Sequence, residues 1–531
     1  MESLWRDLCY GARMLRKQPA FAAVAVVVLA LGIGANTTIF SVVNALLLRP
    51  PPFKDPDRLV RVWETNPKIG LDRGIVSPAN FADWREQNRV FENVSAFRTW
   101  FYRLSGHGDP EQVWGVRTSA SFFHLLGVDA AQGRTFLPEE DQPGHDQVVI
   151  LSYGLWERRF GADPGLIGQT IAIDDRPFTV IGILPPAFNL FGGTRAYDLW
   201  MPFEFARGQL KRDDYSLIVF ARLKAGVALE QAQAEMSAIA ERLEQAYPAT
   251  NQNRGVRVIT FHENQASTLR PALLILLAAV GLVLLIACAN VANLLLARAA
   301  SRQREIAIRK ALGATRGRLI RQMLTESLLL SLLGGAFGLL FAFWGLDLLR
   351  AILPAGVDEI PRADWIALDQ SVLVYTLLIS LSTGMIFGLA PALQVSRQEL
   401  NETLKDSGKG SVGGARGHRL RDSLVVAETA LATMLLLSAG LMIRSFAKLT
   451  AVEPGFDPEN VLTMQVWLPE SKYAEGSKIA TFYHQALERI RELPGVKSAS
   501  AADFLPFSGW GDMTGFEIAG RAATLPGQGP I

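Results

Sequence analysis

Long uncharged, apolar runs alternate with mixed segments along this chain, and that alternation gives its first reading. Residues 19–48 carry no charged side chain; at about 1.5 Å per residue they would form a helix of roughly 45 Å, more than a hydrocarbon layer requires. Further uncharged runs occupy 271–297, 327–346 and 370–396, and a fifth, 424–443, is interrupted only by Glu428. The pattern predicts five transmembrane helices, at 19–48, 271–297, 327–353, 370–396 and 423–443. The first run far exceeds the roughly 7–15 apolar residues of a signal peptide, so it reads as a retained span. Before it, residues 1–18 put Leu4, Trp5, Leu8, Ala12 and Leu15 on one helical face and Arg6, Asp7, Arg13, Arg16 and Lys17 on the other. That is an amphipathic cytoplasmic helix, read as a simple anchor in the headgroup layer.

Between the first two spans, residues 49–270 mix both periodicities. Runs rich in Val, Ile and aromatics at 59–63, 147–151, 170–173, 178–183 and 216–223 predict strands. From Leu229 through Met236, Ile239, Leu243 and Tyr247, apolar residues recur at helical steps until Pro248 stops them. This segment therefore reads as an α+β domain outside the membrane. A short loop, 354–369, joins the third and fourth spans, and residues 444–531 follow the fifth.

Charge orients the spans. Arginine and lysine gather at Arg6, Arg13, Arg16 and Lys17, again from Arg298 through Arg321, and again from Arg397 through Arg421. By the positive-inside rule, 1–18, the segment 298–326 and the linker 397–422 are cytoplasmic. Parity then places 49–270, 354–369 and 444–531 outside. Glu326 and Glu428 stand at cytoplasmic ends of spans, where salt bridges to nearby arginines are expected. Asn290 and Asn293, three residues apart in the second span, are expected to hydrogen-bond between helices as packing residues.

Composition agrees with a membrane protein and narrows the partners. Of 531 residues, 49% are hydrophobic and 20% charged, too apolar for an average soluble domain. A net charge of +2 points to no nucleic-acid partner. The two cysteines, Cys9 and Cys288, are far apart and both outside 49–270, so the external domain is held by an apolar core and no disulfide framework.

The chain also repeats itself. Pro52-Phe53-Lys54-Asp55-Pro56 leads to Val62-Trp63 after the first span, and Gly455-Phe456-Asp457-Pro458 leads to Val466-Trp467 after the fifth. An internal duplication accounts for this, with 444–531 as the start of a second, incomplete external domain. On that reading the sequence is a fragment or a truncated frame of a protein of roughly 800 residues, from doubling the first module.

The end of the second span and the residues after it carry the most specific motif: Asn290-Val291-Ala292-Asn293, then Arg304-Glu305-Ile306-Ala307-Ile308-Arg309-Lys310-Ala311-Leu312-Gly313-Ala314. This resembles the permease module of MacB-like and FtsX-like ABC transporters. Within 49–270, Ser121-Phe122-Phe123-His124-Leu125-Leu126-Gly127, Gly133-Arg134-Thr135-Phe136 and Leu155-Trp156-Glu157-Arg158-Arg159-Phe160-Gly161 look like the MacB-type periplasmic core domain. With Leu31-Gly32-Ile33-Gly34-Ala35-Asn36 the whole is similar to duplicated permeases of acidobacterial type.

The resemblance implies an α-helical protein of the bacterial inner membrane, multi-pass, with five transmembrane helices, a large α+β periplasmic core domain and the start of a second. It implies that ATP is hydrolysed by a separate ABC ATPase subunit, with no cofactor bound directly by this chain. The bilayer, and a second permease copy or a periplasmic adaptor, are the other partners it suggests. The residues expected to engage the ATPase, on a short coupling helix ended by Gly313, are Arg304, Glu305, Ile308, Arg309, Lys310, Leu312 and Gly313. Export is the expected role, with an FtsX-like regulator or scaffold that activates cell-envelope enzymes as the alternative.

Other chemistry is weakly signalled. Residues 407–411 are a Gly- and Ser-rich linker without the glycine spacing of a phosphate-binding loop. His262-Glu263 lacks the second histidine of a zinc-protease motif, since position 266 is alanine. Glu139, Glu140 and Asp141 read as a solvated turn. No catalytic site is expected.

Overall fold

The computed structural model describes residues 2–106, 108–190, 197–203, 210–267, 269–301, 315–352, 366–397, 415–452, 455, 460–464, 466, 468, 472–473 and 475–502. Two compact units emerge. One comprises Met1–Arg49 and Ala266–Val461, and the other Pro50–Phe191 and Arg195–Gln265 with Leu462–Ile531.

In chain order the elements begin with α1 (Glu2–Lys17) and α2 (Pro19–Val43), the latter ending in a π turn at Asn44–Leu48. The sheet-bearing unit follows. It has β1 (Leu59–Asn66), β2 (Leu71–Gly74), α3 (Pro78–Gln87), β3 (Phe91–Ser105), β4 (Glu111–Thr118), α4 (Phe122–Leu126) and β5 (Gln132–Gly133). Next come β6 (Val148–Leu151), α5 (Tyr153–Phe160), β7 (Thr170–Ile173), β8 (Arg176–Ile183), β9 (Leu199–Pro202), β10 (Ile218–Leu223), α6 (Leu229–Ala246), α7 (Pro248–Asn251), β11 (Gly255–Thr260) and α8 (Phe261–Ala266). The long helices are α9 (Arg270–Ser301), α10 (Arg316–Ile352), α11 (Gln370–Arg397) and α12 (Ala415–Thr450), and α13 (Gly476–Arg491) comes last.

Five of these helical stretches are long and apolar enough to cross a membrane: Pro19–Leu48, Arg270–Arg298, Arg316–Leu348, Gln370–Leu389 and Asp422–Thr450. The third starts earlier than the hydropathy pattern suggests. Residues 316–326, read as part of a cytoplasmic segment, are the opening turns of α10.

In the helical unit α2 packs against α9, α10 and α11. The crossings depend on small residues. A Cβ at Gly34 would stand 2.9 Å from the Gly338 carbonyl oxygen, and one at Gly338 would stand 3.1 Å from the Gly34 nitrogen, so the backbones of α2 and α10 touch there. Polar bonds fix the register. Asn36 donates to the carbonyls of Gly32 (3.0 Å) and Val280 (2.7 Å), the hydroxyls of Thr37 and Thr376 are 3.0 Å apart, and Asn44 donates to the Asp369 carboxylate at 2.9 Å. Among the described residues neither Asn290 nor Asn293 makes an interhelical side-chain bond, and the Asn293 Oδ1 is buried without a hydrogen-bond partner. The expected role belongs to Asn36, whose amide lies where α2 meets α9. Glu428 likewise has no ion pair among the described residues, while Glu326 is buried.

The other unit is built on one mixed, eleven-stranded sheet in the order β11-β1-β10-β3-β4-β9-β6-β8-β5, with β2 beside β1 and β7 bridging β3 and β8. Pairings are antiparallel except β4–β9 and β6–β8. Alternation divides its faces. Val60, Val62, Val219, Ala221, Val256 and Val258 meet Phe81 and Trp84 of α3 and Met236, Ile239 and Leu243 of α6. On the opposite face Leu59, Phe97, Val116, Trp200 and Phe220 pack with Phe53, Phe122, Phe123 and Phe261. Helix starts are capped as their sequences require: Ser77 accepts from the Asn80 amide and Ser152 from the Leu155 amide.

The acidic triplet is not a solvated turn. Glu140 is buried, accepts from Arg134 at 2.7 Å and receives the Leu137 amide at 2.8 Å, and Asp141 receives the Ala120 amide at 2.6 Å. Only Glu139 is exposed. Burial pushes the Asp141 carboxyl up to about 6, against weaker opposition from the Ala120 amide and Arg85. A raised folded-state value means that the folded state holds the extra proton. Asp141 therefore contributes stability that is complete below about pH 4 and lost as pH rises through 6. Asp141→Asn, which keeps the acceptor, should stabilise the protein by about 1–3 kcal/mol at pH 7 and leave it unchanged near pH 4. Thermal unfolding at the two pH values checks this.

Candidate coupling site

Arg304, Glu305, Ile308, Arg309, Lys310, Leu312 and Gly313 lie outside the described residues, which stop at Ser301 and resume at Thr315. The ends of α9 and α10 flank this segment, and α1 packs against α10.

The docking side of α1 joins one acid of its polar face to Gly11 and to Leu15 of its apolar face, while Arg13, Arg16 and Lys17 stay exposed. Asp7 is buried, and its carboxylate accepts from Arg321 Nε at 2.7 Å. One turn on, Gly11 lies against Leu329 and the Glu326 side chain, where an added Cβ would stand 2.8 Å from Leu329 Cδ1. Another turn on, Leu15 is buried with Leu29, Leu284 and Leu330. The i, i+4, i+8 spacing of Asp7, Gly11 and Leu15 thus makes one stripe against α10. Trp5 and Leu8, expected on the anchoring face with Leu15, remain exposed. The helix is a brace to α10 as well as an amphipathic surface, which corrects the simple-anchor reading. The overlooked signal was Asp7, an acid set among the basic residues Arg6, Arg13, Arg16 and Lys17, and Gly11, a poor helix former placed where a neighbour comes close.

The end of α9 is held from the same side. Arg298 is buried, with its guanidinium 4.7 Å from the Phe21 ring centroid and Nη2 3.5 Å from the Met14 carbonyl. Both flanks of 302–314 are thereby tied to α1 and the start of α2, one through Arg298 and the other through Arg321. A force on that basic segment would reach α9 and α10 at ends that are already braced. Along the chain, α2 with its π turn ends at Leu48 and β1 starts at Leu59, while α8 ends at Ala266 and α9 starts at Arg270.

The cysteines suit this arrangement without joining it: Cys9 is exposed and Cys288 buried, and neither is in a disulfide. Among the described residues no group of three or more His, Cys, Asp or Glu side chains is placed to hold a metal ion.

Comparison with known proteins gives this architecture a family. Residues 22–239 match the MacB-like periplasmic core domain, and residues 277–400 match the FtsX-like permease C-terminal domain. The macrolide export ATP-binding/permease protein MacB of Burkholderia thailandensis is 29% identical over 278 residues, covering 52% of this chain and 40% of that protein. A probable export ATP-binding/permease protein of Pseudomonas fluorescens is 29% identical over 294 residues, covering 55% of this chain and 43% of that protein. The chain spans about two fifths of the length of these curated relatives. The periplasmic region of MacB from Actinobacillus actinomycetemcomitans is 14% identical, with a TM-score of 0.31, covering 40% of this chain and 94% of that one.

Span-length helices that carry a mixed-sheet core domain between the first and second define a membrane permease. The chain belongs to the MacB/FtsX-like permeases of ABC transporters, with a MacB-like periplasmic core domain followed by an FtsX-like permease C-terminal domain.

Proposed function

We propose that this chain is the transmembrane permease subunit of a MacB-like ABC transporter, in which a separate ATPase works on the cytoplasmic segment and the external core domain moves in response. Export is the reading that follows, since the similar proteins of Burkholderia and Pseudomonas are named as exporters. The observation that carries it is the bracing of both flanks of 302–314, by Arg298 at the end of α9 and by the Arg321–Asp7 pair at the start of α10. A segment meant only to lie on headgroups would need no such fixing. One meant to transmit force needs stiff ends.

In this reading Arg304, Glu305, Arg309 and Lys310 make the polar contacts with the ATPase, Ile308 and Leu312 seat in its cleft, and Gly313 ends the coupling helix. The protein lies in the bacterial inner membrane as a multi-pass chain. Its basic segments face the cytoplasm and the sheet-bearing domain faces the periplasm. ATP acts through the partner alone, and the bilayer, with a second permease copy or a periplasmic adaptor, completes the assembly.

Purified full-length chain in detergent, mixed with the host's ABC ATPase subunits, should retain one of them with measurable ATP hydrolysis. Arg304→Glu combined with Arg309→Glu should abolish that retention and leave membrane insertion unchanged. Failure of the folded wild-type chain to retain any ATPase would refute the proposal.

A further inference from the structure

Several buried or half-buried arginines in the sheet-bearing unit are matched to acceptors. Arg254 pairs with Glu64 at 3.0 Å, Arg159 with Glu111 at 3.0 Å, and Arg212 with Asp83 at 2.6 Å. Arg222, the most buried of them, donates to the carbonyls of Leu125 and Asp55. Arg61, on β1, has no such match. It is 8% exposed, its Nε has no hydrogen-bond partner, and no carboxylate among the described residues pairs with it.

Its surroundings are aromatic and cationic. The guanidinium carbon is 3.4 Å from the Trp63 ring centroid and 5.8 Å from that of Phe220, its cross-strand neighbour. The Trp63 indole is held by a 3.0 Å bond from Nε1 to Asn264. Burial, and then the nearby Arg73, lower the Arg61 pKa to about 9, with the Tyr197 phenol acting weakly the other way. The group is therefore still charged at neutral pH. From Tyr197 the aromatic surface continues to Trp114, 6.2 Å between ring centroids, and from Trp114 to Phe101, 4.3 Å. Trp63, Phe101, Trp114 and Tyr197 are all only half-buried.

A charge withdrawn from water without a counter-ion is costly, and an apolar residue of similar volume in its place is often neutral or stabilising. Stacking on Trp63 offsets part of that cost but leaves the guanidinium's fork of donors unused. Such a fork suits a phosphate or a carboxylate, and the rings beside it suit an apolar body. We propose that Arg61 is the anion-recognising centre of a binding site on this sheet face. Its ligand is an amphipathic molecule with a phosphate or carboxylate head, whose apolar part lies along Trp63, Tyr197, Trp114 and Phe101. Binding at this site is independent of the ATPase reading above, and neither result bears on the other.

The test uses the full chain in a non-ionic detergent, with octyl phosphate, octanoate, octanol and inorganic phosphate as probes in equilibrium dialysis. Saturable binding of octyl phosphate or octanoate is expected, with octanol and inorganic phosphate much weaker. Arg61→Met should weaken it by roughly 30-fold or more, as removal of one partner of a desolvated charge pair does, and Arg61→Lys should retain part of it. The melting temperature of Arg61→Met should equal or exceed that of the wild type. Phospholipid co-purifying with the wild type and absent from Arg61→Met would identify the bilayer as the source of the ligand; equal phospholipid in both, with octyl phosphate binding still dependent on Arg61, would identify a soluble amphiphile. Absence of saturable binding, binding indifferent to Arg61→Met, or a lowered melting temperature as that variant's sole effect would make Arg61 a packing residue and overturn the proposal. Inorganic phosphate binding as tightly as octyl phosphate would overturn the apolar half of it.

Discussion

Gly338→Leu should disrupt the helical unit. The backbones at Gly338 and Gly34 meet where α10 crosses α2, and a Cβ at Gly338 would be 3.1 Å from the Gly34 nitrogen, 3.2 Å from the Ala30 carbonyl oxygen and 3.3 Å from Ile33 Cβ. Two of those atoms are backbone, so no side-chain rotation relieves the clash. Helix association in a bilayer draws on close packing, because lipid tails are as apolar as the side chains they replace. Separating α2 from α10 would also strain the Thr37–Thr376 and Asn36–Val280 bonds. A loss of about 3 kcal/mol or more is expected, at the upper end of overpacking effects. Unfolding of the detergent-solubilised protein measures it, with Gly440→Leu as control, since a Cβ at Gly440 meets nothing within 4 Å. Equal stability of the two variants would show that the crossing does not hold the unit together.

The second large effect belongs to the sheet. Glu64 on β1 is 1% exposed, paired with Arg254 at 3.0 Å and approached by the Asn80 amide at 3.4 Å. Asn80 in turn accepts from Arg212 (2.8 Å) and Asn251 (3.0 Å), so the network joins β1, α3 and the turn before β11. Burial raises the Glu64 carboxyl above its ordinary value, opposed chiefly by Arg254. Arg254→Met removes that opposition and leaves a buried carboxylate without its cation, which costs about 3–5 kcal/mol. The folded-state pKa of Glu64 then rises further above the unfolded one, so the variant's deficit should grow with rising pH and shrink under acid. Glu64→Gln combined with Arg254→Met should recover much of the loss, and a double-mutant cycle of denaturant unfolding reads the coupling. Additive losses would mean that the pair is not coupled.

Much of this architecture is visible in the chain itself, because the solvent changes along it. Lipid-facing helices select long uncharged runs, and the five runs coincide with five span-length helices. The strands 170–173 and 178–183 and the helix from Leu229 were legible from their β-branched or 3.6-residue patterns. β3 was not. Its fifteen residues alternate hydrophobic and charged positions irregularly, since the strand serves the β10 pairing at one end and the β7 pairing at the other, against different neighbours. The family motif around Arg304 and Arg309 could be read from sequence. The brace that holds its flanks could not, because Asp7 and Arg321 are 314 residues apart. The interhelical bond of Asn36 escaped notice for a similar reason: its amide spends one hydrogen on its own helix and the other on α9, and nothing in its local sequence sets that role apart from Asn290 or Asn293. The carboxylates Glu140 and Asp141 looked solvated because their acceptor roles depend on Arg134 and on the Ala120 amide, contacts that only the folded chain creates.

In the proposed topology the sheet-bearing domain is periplasmic and the basic segments are cytoplasmic. Cys9, exposed on α1, reports one side, and Cys288 is buried and adds no background. Glu157→Cys, on the exposed side of α5, reports the other. With a membrane-impermeant maleimide, position 157 should label in spheroplasts, and Cys9 only in inverted membrane vesicles. Labelling of both positions from the same side would contradict the account.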